Sequence, residues 1–362
     1  MVADAAGGRI FLAAWRSQEV GIQNRRRRSV QVPQGPADFV DSWGASVNVL
    51  ITGGAGLIGS FIAERLLARG SRVTILDNES TGKRENVPRE AAYCVGDVRN
   101  LDDLRSATAS GVDYIFHMAA QVSNILSYRD PSEDVSTNVL GTMNVIRLGY
   151  ERGVRQMFQA SSMALYGNPP ALPVSEKTPV APASFYGISK LAAENYMLAW
   201  ASRKDVEKPI PVTALRMFNV YGPRQSLANP YQGVISVFIA NLLKGEPITL
   251  YGDGEQTRDF VYIDDVVAAW LAALDNPRAY NRFINIGSGT QISINAMLDA
   301  VLAAFGHTRQ SYPILHRGEL SGDQRAIEAD VRLAEELLQW KPRMAFQEGL
   351  ARTISWARQQ TF

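Results

Sequence analysis

Three side chains in this sequence stand at spacings that suit proton transfer. Tyr186 and Lys190 are four apart in Tyr186-Gly187-Ile188-Ser189-Lys190, and on a helix that spacing puts both on one face. A free phenol has a pKa of about 10 and is a poor base at neutral pH. A neighbouring ammonium favours the phenolate and draws its pKa toward the working range. Ser161 and Ser162 follow the apolar run Gln156 to Ala160, so they read as lying just past a strand end, where ligands of parallel sheets sit. A hydroxyl there would bond the same substrate oxygen as Tyr186. Tyr-x-x-x-Lys alone is a common chance match, and the tyrosine of such a match is often just packed. Its weight here comes from what precedes it.

What precedes it is a dinucleotide loop. Thr52-Gly53-Gly54-Ala55-Gly56-Leu57-Ile58-Gly59 follows a β-branched run and opens a helical pattern, with glycines at 53, 56 and 59. Glycine permits the tight turn and lets backbone amides approach a pyrophosphate with no Cβ in the way. The helix N-terminus adds its free N–H groups and dipole. Asp77 closes the next apolar run, 18 positions after Gly59. A carboxylate there accepts ribose hydroxyls and repels a 2′-phosphate, which favours NAD over NADP. Asp77 also suits a turn with Asn78, Ser80, Thr81 and Gly82, and the two roles are compatible.

The elements that must position these groups alternate. Strands are predicted at Val47 to Ile51, Arg72 to Leu76, Ala92 to Val95, Tyr114 to Phe116, Gln156 to Ala160 and Val212 to Met217. Helices are predicted at Leu57 to Arg69, Leu101 to Ala109, Val135 to Arg152 and Tyr186 to Ser202. That rhythm predicts an α/β fold, a doubly wound parallel sheet with helices on both faces. Residues 47–221 read as the Rossmann domain carrying the Ser/Tyr/Lys set. From 222 to 362 the chain turns rich in Pro, Gly and Asn, with helical stretches at Ile235 to Leu243, Val266 to Leu274, Ile294 to Phe305 and Val331 to Leu338. This part reads as a smaller mixed α/β substrate lobe, some of whose segments return to the sheet. Residues 1–46, with Arg25 to Arg28 in a row, read as a disordered extension.

Composition narrows the class. Net charge is +1, so no global field recruits nucleic acid or an anionic membrane, and a phosphate-bearing ligand needs local donors. No apolar run is long enough to span a bilayer. Cys94 is the one cysteine, and His117, His307 and His316 lie far apart. No disulfide and no metal site are expected.

Taken together, the Thr52 to Gly59 loop, Asp77, Gly96-Asp97, His117-Met118-Ala119-Ala120, Ser161 to Gly167, Tyr186 to Lys190 and Asn219 to Arg224 resemble an extended short-chain dehydrogenase/reductase. The run Tyr251 to Phe260 is similar to its nucleotide-sugar epimerase/dehydratase branch, and the resemblance spans about Val47 to Trp356. It implies NAD as cofactor, held by Gly53, Gly56, Leu57, Ile58, Gly59, Asp77, Asn78, Asp97, Val98, Ala119, Ala120, Asn138, Tyr186 and Lys190. It implies Tyr186 as base and acid, Lys190 on the nicotinamide ribose and Ser162 on the sugar oxygen. Asn219, Val234, Thr249, Tyr251, Arg258 and Asp323 are implied to bind a nucleotide-sugar substrate. The bland reading of Arg258 is a surface ion pair with Asp259.

The 4,6-dehydratases of this branch carry Asp-Glu directly after the active-site Ser/Thr, and the decarboxylases keep a glutamate at the second of those positions. Here they are Met163 and Ala164, which neither donate nor accept a proton. Subtraction leaves epimerisation at C4 through a transient 4-keto sugar, with UDP-glucose/galactose as first expectation. A uronate, an N-acetyl sugar or a dTDP-deoxysugar stays open, as do another reaction of the branch and a non-catalytic NAD-binding protein. Leu320 stands where UDP-glucose-type sites carry an arginine, with Arg317 near enough to substitute. The resemblance further implies a homodimer through the helices at 135–152 and 186–202, and a cytoplasmic enzyme.

Overall fold

The computed structural model describes residues 47–229, 233–320 and 322–360, all within one compact unit, Ala45–Phe362. The extension at 1–46 lies outside them. The first half of the chain runs β1 (Asn48–Thr52), α1 (Leu57–Leu67), β2 (Arg72–Asp77), β3 (Ala92–Val95), α2 (Leu101–Ala107), β4 (Tyr114–His117), α3 (Asn124–Arg129), α4 (Pro131–Val135), α5 (Gly141–Arg152), β5 (Gln156–Ser162), α6 (Phe185–Ala201) and β6 (Val212–Met217). The second half runs β7 (Asn219–Tyr221), α7 (Val234–Lys244), β8 (Ile248–Tyr251), β9 (Thr257–Tyr262), α8 (Ile263–Ala273), β10 (Arg282–Ile286), β11 (Gln291–Ser293), α9 (Ile294–Ala304), β12 (Ile314–Arg317), α10 (Arg332–Leu338) and α11 (Phe346–Ala357).

Seven strands form one parallel sheet in the order β10-β6-β5-β4-β1-β2-β3. The order reverses between β1 and β4, which opens a crevice at their C-terminal ends. Successive side chains alternate faces. Leu50, Ile115, Met157 and Val212 pack with Leu104, Val145, Leu148 and Met197 of α2, α5 and α6. On the opposite face Phe116 stacks on Phe158 at 4.2 Å, and both meet Trp270 of α8 edge-on. The fold is therefore the doubly wound α/β sheet, with a smaller β11-β9-β7 sheet and a β12-β8 pair beside it.

Two local readings change. The helix expected from Val135 begins at Pro131, where Asp130 caps it by accepting from the Glu133 amide at 3.0 Å, and it then widens into a π turn at Ser136–Leu140. Ser161 and Ser162 do not lie past β5. They are its last residues, because β6 continues to Met217 and pairs with them.

Candidate active site

The crevice deepens into a cavity of about 690 Å³. Its cofactor half is built by the glycine loop. The Gly53 amide donates to Leu76 O at 2.8 Å, which ties the loop to β2. Gly53 adopts φ +67°, and a Cβ there would lie 2.6 Å from the Ala119 amide nitrogen. A Cβ on Gly59 would lie 2.5 Å from Gly53 O. The sequence thus needs glycine for both the turn and the close approach of α1. Gly56, the N-cap of α1, offers no side-chain cap, so the first amides of the helix are left for an anion. Each Asp77 oxygen accepts one bond at 2.9 Å, from the Ala55 and Glu79 amides, and each keeps a further lone pair. Asp77 is therefore both the turn residue and a carboxylate at the cavity wall. An uncapped helix N-terminus, a cradle with no room for a Cβ and a wall carboxylate fit a dinucleotide that has a pyrophosphate but no 2′-phosphate.

Beneath the loop runs a hydrogen-bond chain with one direction. The Ala119 amide donates to Thr52 Oγ1 at 3.3 Å, and Thr52 Oγ1 lies 2.7 Å from His117 Nδ1. His117 Nε2 lies 3.1 Å from Thr142 Oγ1, whose own proton goes to Asn138 O at 2.7 Å. Thr142 must therefore accept from Nε2–H, and Nδ1 must accept from Thr52. Burial, with Lys190 nearby, pushes the imidazole down to about 3, so it stays neutral.

Gly53, Gly56, Leu57, Ile58, Gly59, Asp77, Asn78, Val98, Ala119 and Ala120 all line the cavity. Asp97 and Asn138 do not. Asp97 is bonded by Arg99 through Nε at 2.9 Å and Nη2 at 2.7 Å and by Asn78 at 2.9 Å. These contacts, the Arg99 bonds foremost, hold its carboxyl down to about 2. Asn138 is buried behind the wall, where it accepts from the Gln121 amide at 2.9 Å and donates to Ser189 Oγ at 2.9 Å. Both buttress the wall.

The Ser/Tyr/Lys set converges on the same cavity. Ser162, Tyr186 and Lys190 line it together. Ser184 caps α6 by accepting from the Gly187 amide at 3.1 Å. A Cβ at Gly187 would sit 2.8 Å from Ala164 O, so the glycine between Tyr186 and Lys190 brings α6 against the turn after Ser162. Ser162 Oγ accepts from the Ala164 amide at 3.2 Å and acts on the Tyr186 phenol to favour its ionised form. Ser161 also lines the cavity, but its hydroxyl donates to Glu194 Oε2 at 2.6 Å. Burial pushes the Tyr186 phenol up to about 12, and Ser162 opposes that shift. Lys190 is itself pulled down to about 8 by burial, against Asp134 and Glu194.

Asn219, Val234, Thr249, Tyr251, Arg258 and Asp323 line the other half. Arg258 pairs with Asp323, not Asp259, and donates to Gln324 O at 2.7 Å and Thr257 O at 2.8 Å. Asp259 is buried and serves the Ser288, Gly289 and Ala329 amides. Leu320 lines the cavity and Arg317 does not. Arg317 ends exposed β12, so it is not in place to substitute for the missing cation. Sequence reading missed the segment from Gln121 to Leu126, which also lines the cavity; it directly follows the His117 to Ala120 motif and is reached by extending it. Among the described residues, no cluster of His, Cys, Asp and Glu is placed to hold a metal, and no helix is long and apolar enough to cross a membrane.

A uniformly parallel sheet, a dinucleotide cradle and a Ser/Tyr/Lys set in one cavity define the extended short-chain dehydrogenase/reductase class. Residues 49–287 match the family model described as the NAD dependent epimerase/dehydratase family, and the chain belongs to that family. It is 36% identical to a putative UDP-glucose 4-epimerase of Methanocaldococcus jannaschii, over 86% of this chain and 98% of that protein. The crystal structure of Thermotoga maritima UDP-glucose 4-epimerase with UDP-glucose superposes with a TM-score of 0.81 at 33% identity, covering 86% of this chain and 99% of that one. The Thermus thermophilus UDP-glucose 4-epimerase complex with NAD gives 0.79 at 34% identity, covering 87% and 100%. UDP-glucuronic acid decarboxylases and a dTDP-glucose 4,6-dehydratase are among the further similar proteins. The cofactor is NAD.

Proposed function

We propose that the protein is a 4-epimerase of a nucleotide-linked hexose, with UDP-glucose and UDP-galactose as its pair. NAD, when bound, supplies the acceptor and donor of a hydride at C4. With NAD bound, the Tyr186 phenolate is favoured by the Lys190 ammonium together with the positive nicotinamide, and its Oη takes the proton of the C4 hydroxyl and later returns it, while Ser162 Oγ holds the same oxygen. Lys190 holds the nicotinamide ribose and supplies positive charge beside the phenol. Arg258 exchanges Asp323 for the substrate diphosphate, through charge-assisted bonds. Thr249 and Tyr251 border the nucleotide base.

The observation that carries this reading is the set of carboxylates in the cavity. Among the described residues lining it these are Asp77, Glu133 and Asp323. Asp77 clamps the glycine loop, Glu133 pairs with Arg99 and Asp323 pairs with Arg258. Met163 and Ala164 occupy the turn after Ser162. Tyr186 is thus left as the acid–base group beside Ser162, which suffices for a reversible oxidation but not for eliminating water. Incubation with UDP-glucose, followed by proton NMR, should yield UDP-galactose with unchanged mass and no net NADH. A dehydrated or decarboxylated product would overturn the reading.

A cytoplasmic homodimer accompanies this proposal. Leu140, Met143 and Tyr150 beside α5, and Phe185, Ile188 and Tyr196 on α6, are large apolar residues left exposed. Spacings of three and seven residues on the first and three and eight on the second make a stripe on each helix, and apolar stripes of this kind suit burial against a second copy.

A further inference from the structure

Asp134 lies in α4, in a stretch that reads as a polar surface turn, yet its relative exposure is 0%. Its Oδ1 accepts from Gln121 Nε2 at 2.7 Å and Asn138 Nδ2 at 3.2 Å. Its Oδ2 has no hydrogen-bond partner among the described residues. The nearby Ser189 hydroxyl donates to Tyr186 O at 3.0 Å and so is already committed. A buried carboxylate oxygen without a donor is costly, and neutral amides do not neutralise the charge.

The surrounding charges identify what the carboxylate faces. Helix α4 packs against α6, whose Tyr186 and Lys190 both feel the Asp134 charge; Glu194 of α6 and the neutral His117 of β4 are the other titratable neighbours of Lys190. Glu133, beside Asp134 on α4, pairs with Arg99, and Glu194 is matched by Arg216 of β6. Lys190 is the remaining buried cation, with 3% exposure and no ion pair of its own among the described residues. We propose that Asp134 is the internal counter-ion of the Tyr186–Lys190 pair, a positioning residue that acts through space to keep Lys190 an ammonium and Tyr186 a phenol in the resting enzyme. The inference deepens the reading of that pair as the acid–base machinery and rests on it. Asp134 attracts the ammonium and opposes the phenolate, which raises both pKa values. Its own carboxyl is raised by burial and lowered by Ser189, Gln121 and then Lys190, so the coupling to the ammonium is mutual.

The test reads charge states and does not use turnover. NMR of the full chain labelled with ¹³C-lysine, assigned by Lys190→Met, follows the Lys190 titration, which should centre at about 8. Asp134→Asn should lower that midpoint by about one pH unit, and Asp134→Glu should restore it. An unmoved midpoint in folded Asp134→Asn overturns the proposal. Should Asp134→Asn not fold, Lys190→Met decides. Without its cation Asp134 holds its proton to higher pH, so the loss in Tm relative to wild type should grow from pH 5 to pH 7. A loss equal at both pH values overturns it. Retained turnover in Tyr186→Phe would remove the epimerase reading and leave these two readouts standing.

Discussion

Glu194 stands one helical turn beyond Lys190, and Arg216 grips both of its carboxylate oxygens, Nε to Oε2 at 3.0 Å and Nη2 to Oε1 at 2.5 Å. Arg216 Nη1 also donates to Tyr166 Oη at 2.9 Å, and Ser161 adds a bond to Glu194. The pair is almost wholly buried, so removing one partner strands a charge. Arg216→Met should cost about 3–5 kcal/mol. Adding Glu194→Gln should recover much of that loss, as read by urea unfolding at neutral pH. Additive losses would show that the pair does not act as a unit.

Tyr186→Phe removes the phenolic oxygen and keeps the ring. Turnover should fall roughly 10²–10⁴-fold, while NAD affinity, measured by fluorescence titration, should stay within about threefold because the glycine cradle is untouched. Wild-type turnover in this variant would exclude the tyrosine as base.

The ammonium of Lys190 is its working form, and burial holds its pKa down to about 8. The kcat/KM for the sugar should therefore be level through neutrality and fall above that value, by about tenfold per pH unit once titration is complete. Stability should move the opposite way. The folded pKa lies below the unfolded value of about 10.4, so the unfolded chain binds the proton more tightly. The contribution of Lys190 to stability should thus rise as pH climbs from about 8 to 10.4. A pH–rate profile that stays flat to the upper end of this window would count against the role of Lys190.

Gly53→Ala should damage the cofactor site first. The added methyl would lie 2.6 Å from a backbone nitrogen at φ +67°, and strain of this kind costs about 1–3 kcal/mol. Calorimetry should find NAD binding weakened by tenfold or more. Wild-type affinity would mean that the loop is not held as tightly against Ala119 as it stands here.

If the proposed dimer forms through α5 and α6, Met143→Glu combined with Ile188→Glu should convert it to a monomer on light scattering without lowering Tm by more than a few degrees, because both side chains are exposed in the single chain. An unchanged mass would place any dimer contact elsewhere.

Much of this was legible from local pattern. Strands β1, β2, β4, β5 and β6 are mostly buried on both faces and read as largely apolar runs, and the glycine loop announces itself because its job is backbone geometry. The smaller sheets were not legible. β9 carries Arg258 and Asp259 as buried residues, and a buried carboxylate satisfied by three distant amides leaves no trace in periodicity. β11 and β12 have three and four residues, mostly exposed or half-buried. Helix α11 was missed altogether. At the site, residue types and order pointed to Ser162, Tyr186 and Lys190. The charge state of the pair depends on Asp134, which lies 52 and 56 positions upstream and among neighbours that look like a solvent face. Such coupling acts through space, and sequence spacing does not record it.

The outermost strand beside β6 is β10, made by residues 282–286, more than sixty positions after β6 ends. Its Phe283 lies 4.0 Å beneath the Arg216 guanidinium, and Trp270 of α8 packs on Phe116 and Phe158 in the middle of the sheet. During synthesis the nucleotide-binding half therefore emerges with a raw β edge and an uncovered aromatic face. It must wait for the last third of the polypeptide before it closes. A fragment ending near Tyr221 should be sticky and prone to pair with its own kind, so the two halves of this enzyme are not separable modules for shuffling or truncation.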